Sequence, residues 1–132
     1  MKKTFKKLLE IDNLVGQMYL DDPSLKKSKF GYAYKRFFQK NLQKLNEEYQ
    51  AELMDVRINN ALVDERTQEI LAGNARGGFR FTKEGLRQVL KDEKRITEEW
   101  EKKEIEVEPF ISSFVPENLT EEQKEELTEL LI

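Results

Sequence analysis

A chain of 132 residues has the length of one domain, and 38% apolar against 37% charged residues leaves a thin core under a heavily solvated surface, the balance of an elongated helical protein. Cysteine and histidine are both absent, which excludes disulfides, thiolate nucleophiles, imidazole bases and any metal centre built on sulfur or imidazole. The net charge of −3 hides a gradient: residues 1–50 hold 11 Lys/Arg against 6 Asp/Glu, residues 51–95 hold 9 against 8, and residues 96–132 hold 3 against 12.

The first predicted helix covers about residues 4–20, where Phe5, Leu8, Leu9, Leu14, Val15 and Met18 recur at helical spacing. Asp21, Asp22, Pro23 and Ser24 break it, and Asp22 or Ser24 is placed to cap the next helical segment. The second predicted helix is the longest, about residues 29–59. It carries Phe30, Tyr34, Phe37, Phe38, Leu42, Leu45, Tyr49, Leu53 and Val56 in steps that are mostly threes and fours. Together these form an expected long helical hairpin over about 4–59, of coiled-coil style. A helix of roughly 30 residues spans about 45 Å and outreaches a partner of about 25 Å. Its unmatched half calls for another partner, either a third helix of the same chain or a second copy.

Beyond Asn59 and Asn60 the period changes, and residues 61–82 read as a projecting β-hairpin whose glycine-rich turn runs from Gly73 to Gly78. Asn74 and Arg76 at its tip are candidate contact residues. Thr82 is a suitable N-cap for a third helix over about 82–103, with Leu86, Val89, Leu90, Ile96 and Trp100 on one face. Residues 104–109 alternate as a strand that could extend the hairpin into a small sheet. A capping box from Thr120 to Gln123 opens an acidic helix over about 120–131. The expected fold is a single domain over 1–132, mainly α with a small antiparallel β element.

Few stretches offer chemistry. The glycine-rich turn lacks the lysine and the adjoining helix of a nucleotide loop, so it reads as a plain hairpin turn. Pairs such as Asp21 with Asp22, Asp64 with Glu65, and Glu98 with Glu99 are adjacent in sequence and point to different faces, which suits neither a calcium loop nor an acid–base pair. No catalytic, cofactor or metal site is expected. Lys26, Lys27, Lys29, Lys35, Arg36 and Lys40 interleave with aromatics in the manner of single-strand binders. Periodicity assigns Phe30, Tyr34, Phe37 and Phe38 to the core, leaving Tyr32 among the cations on a basic outer patch. The terminal apolar residues Leu127, Leu130, Leu131 and Ile132 dock either on their own domain or in a partner's groove.

The run from Leu45 to Leu71 (LNEEYQAELMDVRINNALVDERTQEIL) continues into a helix start at Phe81–Thr82–Lys83–Glu84–Gly85–Leu86. With the Glu104–Ile105–Glu106–Val107–Glu108–Pro109 strand and the Leu119–Thr120–Glu121–Glu122 tail, it resembles small phage and prophage proteins. The resemblance covers about the last two-thirds of the chain and rests on the order and style of elements. It implies a non-enzymatic structural or assembly protein, whose partners are other copies of itself or phage or host proteins. The alternatives are a phage inhibitor or regulator of a host enzyme or defence complex, working as an acidic mimic of nucleic acid, and a nucleic-acid binder using the basic first third. The lysines near the start precede no apolar core of a signal peptide, and no stretch is apolar enough to span a membrane. The expected locations are the cytoplasm of a bacterial host and the virion.

Overall fold

The computed structural model describes residues 2–108 and 120–128. The chain is mainly α with a small antiparallel sheet, and it divides into two compact units: Met1–Leu45 with Glu101–Ile132, and Asn46–Trp100.

The first unit opens with strand β1 (Lys2–Thr4), helix α1 (Phe5–Asp21), a 3-10 turn (Pro23–Lys27) and helix α2 (Lys29–Asn41). Thr4 caps α1, its Oγ1 accepting the Lys7 N–H at 3.2 Å. The turn is built from side chains. Asp22 Oδ1 accepts from the Ser24 N–H and hydroxyl, while Ser28 donates its hydroxyl to the Leu25 carbonyl and accepts the Gly31 N–H. Gly31 is required there, because a Cβ at that position would collide with the Leu25 and Lys26 carbonyls. Phe5, Leu8, Ile11, Val15 and Met18 form the buried stripe of α1, and Phe30, Tyr34 and Phe37 that of α2.

The second predicted helix is two helices. Leu42, with φ −125° and ψ −34°, ends α2, and α3 (Gln43–Asn60) begins at the next residue. The break falls beside Asn41, a buried residue whose side chain bonds another part of the chain. Asparagine is a weak helix former that readily exchanges helical geometry for such side-chain bonds.

Residues 104–106 also differ from expectation. They form strand β2 (Glu104–Glu106), which pairs antiparallel with β1 rather than with the 61–82 segment. Lys2 sits opposite Glu106, Lys3 opposite Ile105 and Thr4 opposite Glu104, and the Phe5 N–H donates to the Lys103 carbonyl at 2.9 Å. The one oppositely charged pair, Lys2 with Glu106, favours this register. Val107 is buried just beyond. Helix α5 (Glu121–Thr128) lies against α1 and starts with the expected capping box: the Gln123 N–H donates to Thr120 Oγ1, and the Thr120 N–H to Gln123 Oε1.

In the second unit α3 packs antiparallel on α4 (Lys83–Glu101), which answers the unmatched length of the predicted second helix from within the chain. Tyr49 and Thr97 share a hydroxyl–hydroxyl hydrogen bond of 2.8 Å. The Trp100 Nε1–H donates to Glu52 Oε2 at 2.8 Å, and the Tyr49 and Trp100 rings lie 5.7 Å apart. Thr82 caps α4 by accepting the Gly85 N–H.

Between these helices residues 61–82 do not form the expected regular hairpin. They make three short passes joined by isolated bridges at Val63–Ile70 and Ala72–Phe79, with Leu62 N–H bonded to Arg80 O, Leu71 N–H to Leu62 O, and Arg80 N–H to Leu71 O. Two tight turns leave too little length between them for ladders. Asp64 Oδ1 accepts from the Arg66 and Thr67 N–H groups in the first, which ends at Gln68 with φ 63°. Gly77 and Gly78, both at positive φ, make the second.

One charge links this segment and α3 to α4. Glu93 lies on the buried stripe of α4, where Oε1 accepts from Arg57 Nε at 2.6 Å and Oε2 faces Arg76 Nε at 3.5 Å. The Glu93 and Arg57 side chains are 10% and 17% exposed, and that of Arg76 is 54% exposed. A carboxylate so deeply placed depends on its partners. Glu93→Gln is expected to lower the stability of this unit by about 2 kcal/mol, and Arg76→Ala by less than about 1 kcal/mol. Trp100, the only tryptophan, lies in this unit, so its fluorescence during urea unfolding reads both changes. Equal losses from the two variants would contradict the assignment.

Candidate functional site

The outward face of α2 and the turn before it gather the cations that the sequence spreads from Lys26 to Lys40. At 100° per residue, Tyr32, Lys29, Arg36, Lys40 and Lys35 fall on one side of the helix, opposite Phe30, Tyr34, Phe37 and Asn41. The structure exposes all six basic residues of the predicted patch, Lys26 and Lys27 from the 3-10 turn and Lys29, Lys35, Arg36 and Lys40 from α2. In their midst Tyr32 is 66% exposed, a large ring held out in water.

Tyr32 is the common wall of two grooves. The first, about 620 Å³, is lined by Tyr32, Ala33, Arg36, Phe37, Lys40, Asn41 and Glu108. The second, about 500 Å³, runs on its other side between Lys35 and Phe38 of α2, Asp12 and Tyr19 of α1, and Lys26 of the turn.

In the wall of the first groove the Asn41 side chain pairs with the main chain of Glu108. Its Nδ2 donates to the Glu108 carbonyl at 3.1 Å, and its Oδ1 accepts the Glu108 N–H at 2.9 Å. This sets the Glu108 carboxylate on Lys40 Nζ at 2.9 Å. The Lys40 hydrogen bond and charge, aided by Arg36, hold that carboxyl below the usual carboxylate range, so it is ionised at neutral pH. Both members are exposed, so the pair opens at little cost.

Tyr34 also lines the second groove, and its hydroxyl donates to Asp12 Oδ1 at 2.7 Å. Burial, then the hydrogen bond to Asp12 and its charge, push the Tyr34 phenol far above its ordinary value, and burial with the Asp12 charge also raises Tyr19. Lys26 sits over the Tyr19 ring, 5.8 Å from its centroid. The grooves therefore combine ammonium and guanidinium donors, aromatic faces and the protonated phenols of Tyr19 and Tyr34 with one carboxylate each, Glu108 in the first and Asp12 in the second; two cations against one carboxylate in each leave a net attraction for anions.

The other sequence candidates separate from this face. Leu127 is 1% exposed on α5, packed in its own unit rather than offered to a partner; Leu130, Leu131 and Ile132 lie outside the described residues. Asn74 is exposed, while Arg76 turns from the loop tip to Glu93. Of the carboxylate pairs, Asp22 and Asp64 serve as turn caps. Sequence reading missed Asn41 and Glu93. Each sits in phase with an apolar stripe, Asn41 four residues after Phe37 and Glu93 four after Val89, and a polar residue in that phase is the signal that marks a buried anchor. Among the described residues no group of three or more acidic side chains is placed to hold a metal ion, and no helix is long and apolar enough to cross a membrane.

Tyr34→Phe removes one hydrogen bond to a carboxylate and is expected to cost about 1–2 kcal/mol at pH 7. The unfolded phenol titrates near pH 10 while the folded one keeps its proton, so this group's contribution is complete below about pH 10 and is lost above it. The gap between the parent and Tyr34→Phe should shrink by roughly 1.4 kcal/mol between pH 9 and pH 11. Urea unfolding followed by circular dichroism at the two pH values checks this, and a gap independent of pH would refute the assigned bond.

Comparison with protein-family models, with curated proteins and with solved structures finds no match.

Proposed function

We propose that this chain is a non-enzymatic structural or assembly protein of the phage type, and that it works by docking the basic face of α2 on an anionic macromolecular partner. The observation that carries the docking face is the arrangement around Tyr32: Lys29, Lys35, Arg36 and Lys40 on the same side of α2, Lys26 beside Tyr32 in the second groove, and Lys27 exposed on the preceding turn; of the six, Lys40 alone forms an ion pair among the described residues. The phage-type role rests on the resemblance in sequence style alone.

Two grounds for self-association lose force in the fold. The stripe of the predicted second helix is answered by α4, through Tyr49, Glu52 and Arg57, and Leu127 is packed in its own unit. Both contacts move the docking surface from apolar stripes to the charged face. A regulator of a host enzyme that mimics nucleic acid is the second reading, favoured by the exposed carboxylates Glu98 and Glu99 on α4 and Glu121 and Glu122 on α5.

Retention on heparin-agarose at pH 7 separates the two. A chain of net charge −3 is repelled by heparin on average, so retention requires a local basic face. We expect the protein to be retained at low salt, and Lys35→Glu with Arg36→Glu to abolish retention while circular dichroism stays unchanged. Passage of the parent protein straight through, with capture on a polylysine matrix instead, would favour the acidic mimic and sink the docking face.

A further inference from the structure

Resting on that docking face, we propose that its ligand is single-stranded nucleic acid, with a base stacked on Tyr32 and the flanking phosphates held in the two grooves. A generic anion site needs cations alone. This one also spends a large aromatic ring, 66% exposed, at the centre of its charged face, where burial gives it no reason to be. Aromatic platforms flanked by basic grooves are the physical solution for unpaired strands, because every base has a π-face and every nucleotide carries a charge. A duplex hides its base faces and can use only the charges.

The spacing suits that division of labour. Lys35 and Lys26 line the groove on one side of Tyr32, and Arg36 and Lys40 line the other. A strand crossing α2 at Tyr32 therefore meets two cations before the ring and two after it. Lys26 is steadied by the Tyr19 ring; the Asp12 carboxylate, which accepts the Tyr34 hydroxyl, lines the same groove, so Lys26 and Lys35 face one carboxylate there.

Glu108 gives the site a built-in competitor. Its carboxylate already occupies Lys40, positioned by the two Asn41 bonds to its main chain, at the place where the second flanking phosphate would bind. The pair is solvent-exposed on both sides, and an incoming phosphate can displace it. Removing that carboxylate should strengthen binding, an effect opposite in sign to losing a structural contact.

The test is fluorescence anisotropy of a labelled oligothymidylate of about 12 nucleotides with the full chain. Parallel titrations use a duplex of equal length, heparin and polyglutamate as competitors. We expect Tyr32→Ala to weaken oligothymidylate binding about tenfold and Tyr32→Phe to leave it nearly unchanged, as stacking requires. Glu108→Gln should tighten binding by a few-fold. Four phosphate contacts should give a log–log salt slope of about −3. Tyr32 is exposed, so its replacement leaves the core intact, and circular dichroism verifies this. Equal affinity for duplex and heparin with a silent Tyr32→Ala would overturn the stacking proposal while leaving an anionic docking face. Preference for polyglutamate would also overturn it. Absence of binding to any of these anions would overturn both the stacking proposal and the docking face.

Discussion

The side-chain amide of Asn41 donates to one end of the Glu108 peptide and accepts from the other, reproducing with one residue the pair of bonds that a neighbouring strand would supply. The first unit is built from two separated stretches of chain, and the returning stretch is held by this clamp, by the three-residue pairing of β1 with β2, by the burial of Val107 and by α5 against α1. A pairing so short is marginal by itself. Asn41 extends it two residues past Glu106 and fixes where the Glu108 side chain emerges. The ion pair with Lys40 and the Glu108 wall of the first groove depend on that placement, and the break between α2 and α3 falls beside it.

Polar groups on apolar stripes organise both units in the same way. Tyr34 brings a hydroxyl into the core of the first unit and bonds Asp12 of α1; Glu93 brings a carboxylate onto the buried face of α4 and meets two arginines. Among the described residues no buried side-chain nitrogen or oxygen lacks a partner. Burial of Phe5 or Val89 is non-directional and would tolerate several neighbouring registers. A buried carboxylate or amide tolerates one, since any other leaves it unpaired at a cost of several kcal/mol. The apolar stripes supply most of the cohesion, and these few polar bonds select the register.

Local signals are legible in the sequence and distant pairings are not. Thr82 and Thr120 act as the caps expected of them, because a cap is decided by residues within one turn. The outward position of Tyr32 and the cations comes from the helical period, and the structure reproduces it. Leu42 is apolar and in phase, so periodicity carries the predicted helix straight through a break beside Asn41, whose bonding partner lies 67 positions away. Strand β1 is three residues long, too short for any period to show, and its partner lies about a hundred residues on. The glycine turn of the 61–82 segment is legible, but the Asp64 turn divides the rest into passes shorter than strands.

The charge gradient changes meaning once the contacts are known. Read along the chain, a basic head and an acidic tail suit a nucleic-acid or acidic partner at one end, copies meeting head to tail, or only the wet faces of separate helices. In the fold, Glu106 stands opposite Lys2 and Glu108 bonds Lys40, so part of the tail neutralises part of the head within one unit. Lys29, Lys35 and Arg36 share the outward side of α2 with the exposed ring of Tyr32 and form no ion pair among the described residues, although Arg36 also acts on the Glu108 carboxylate. A protein of net negative charge repels polyanions at long range and attracts them only where such a face comes within about a Debye length, ~8 Å at physiological salt. Binding through this face is therefore short-ranged and orientation-dependent. Under those conditions the aromatic ring, whose contact energy salt does not screen, carries more of the discrimination between anions than the lysines beside it.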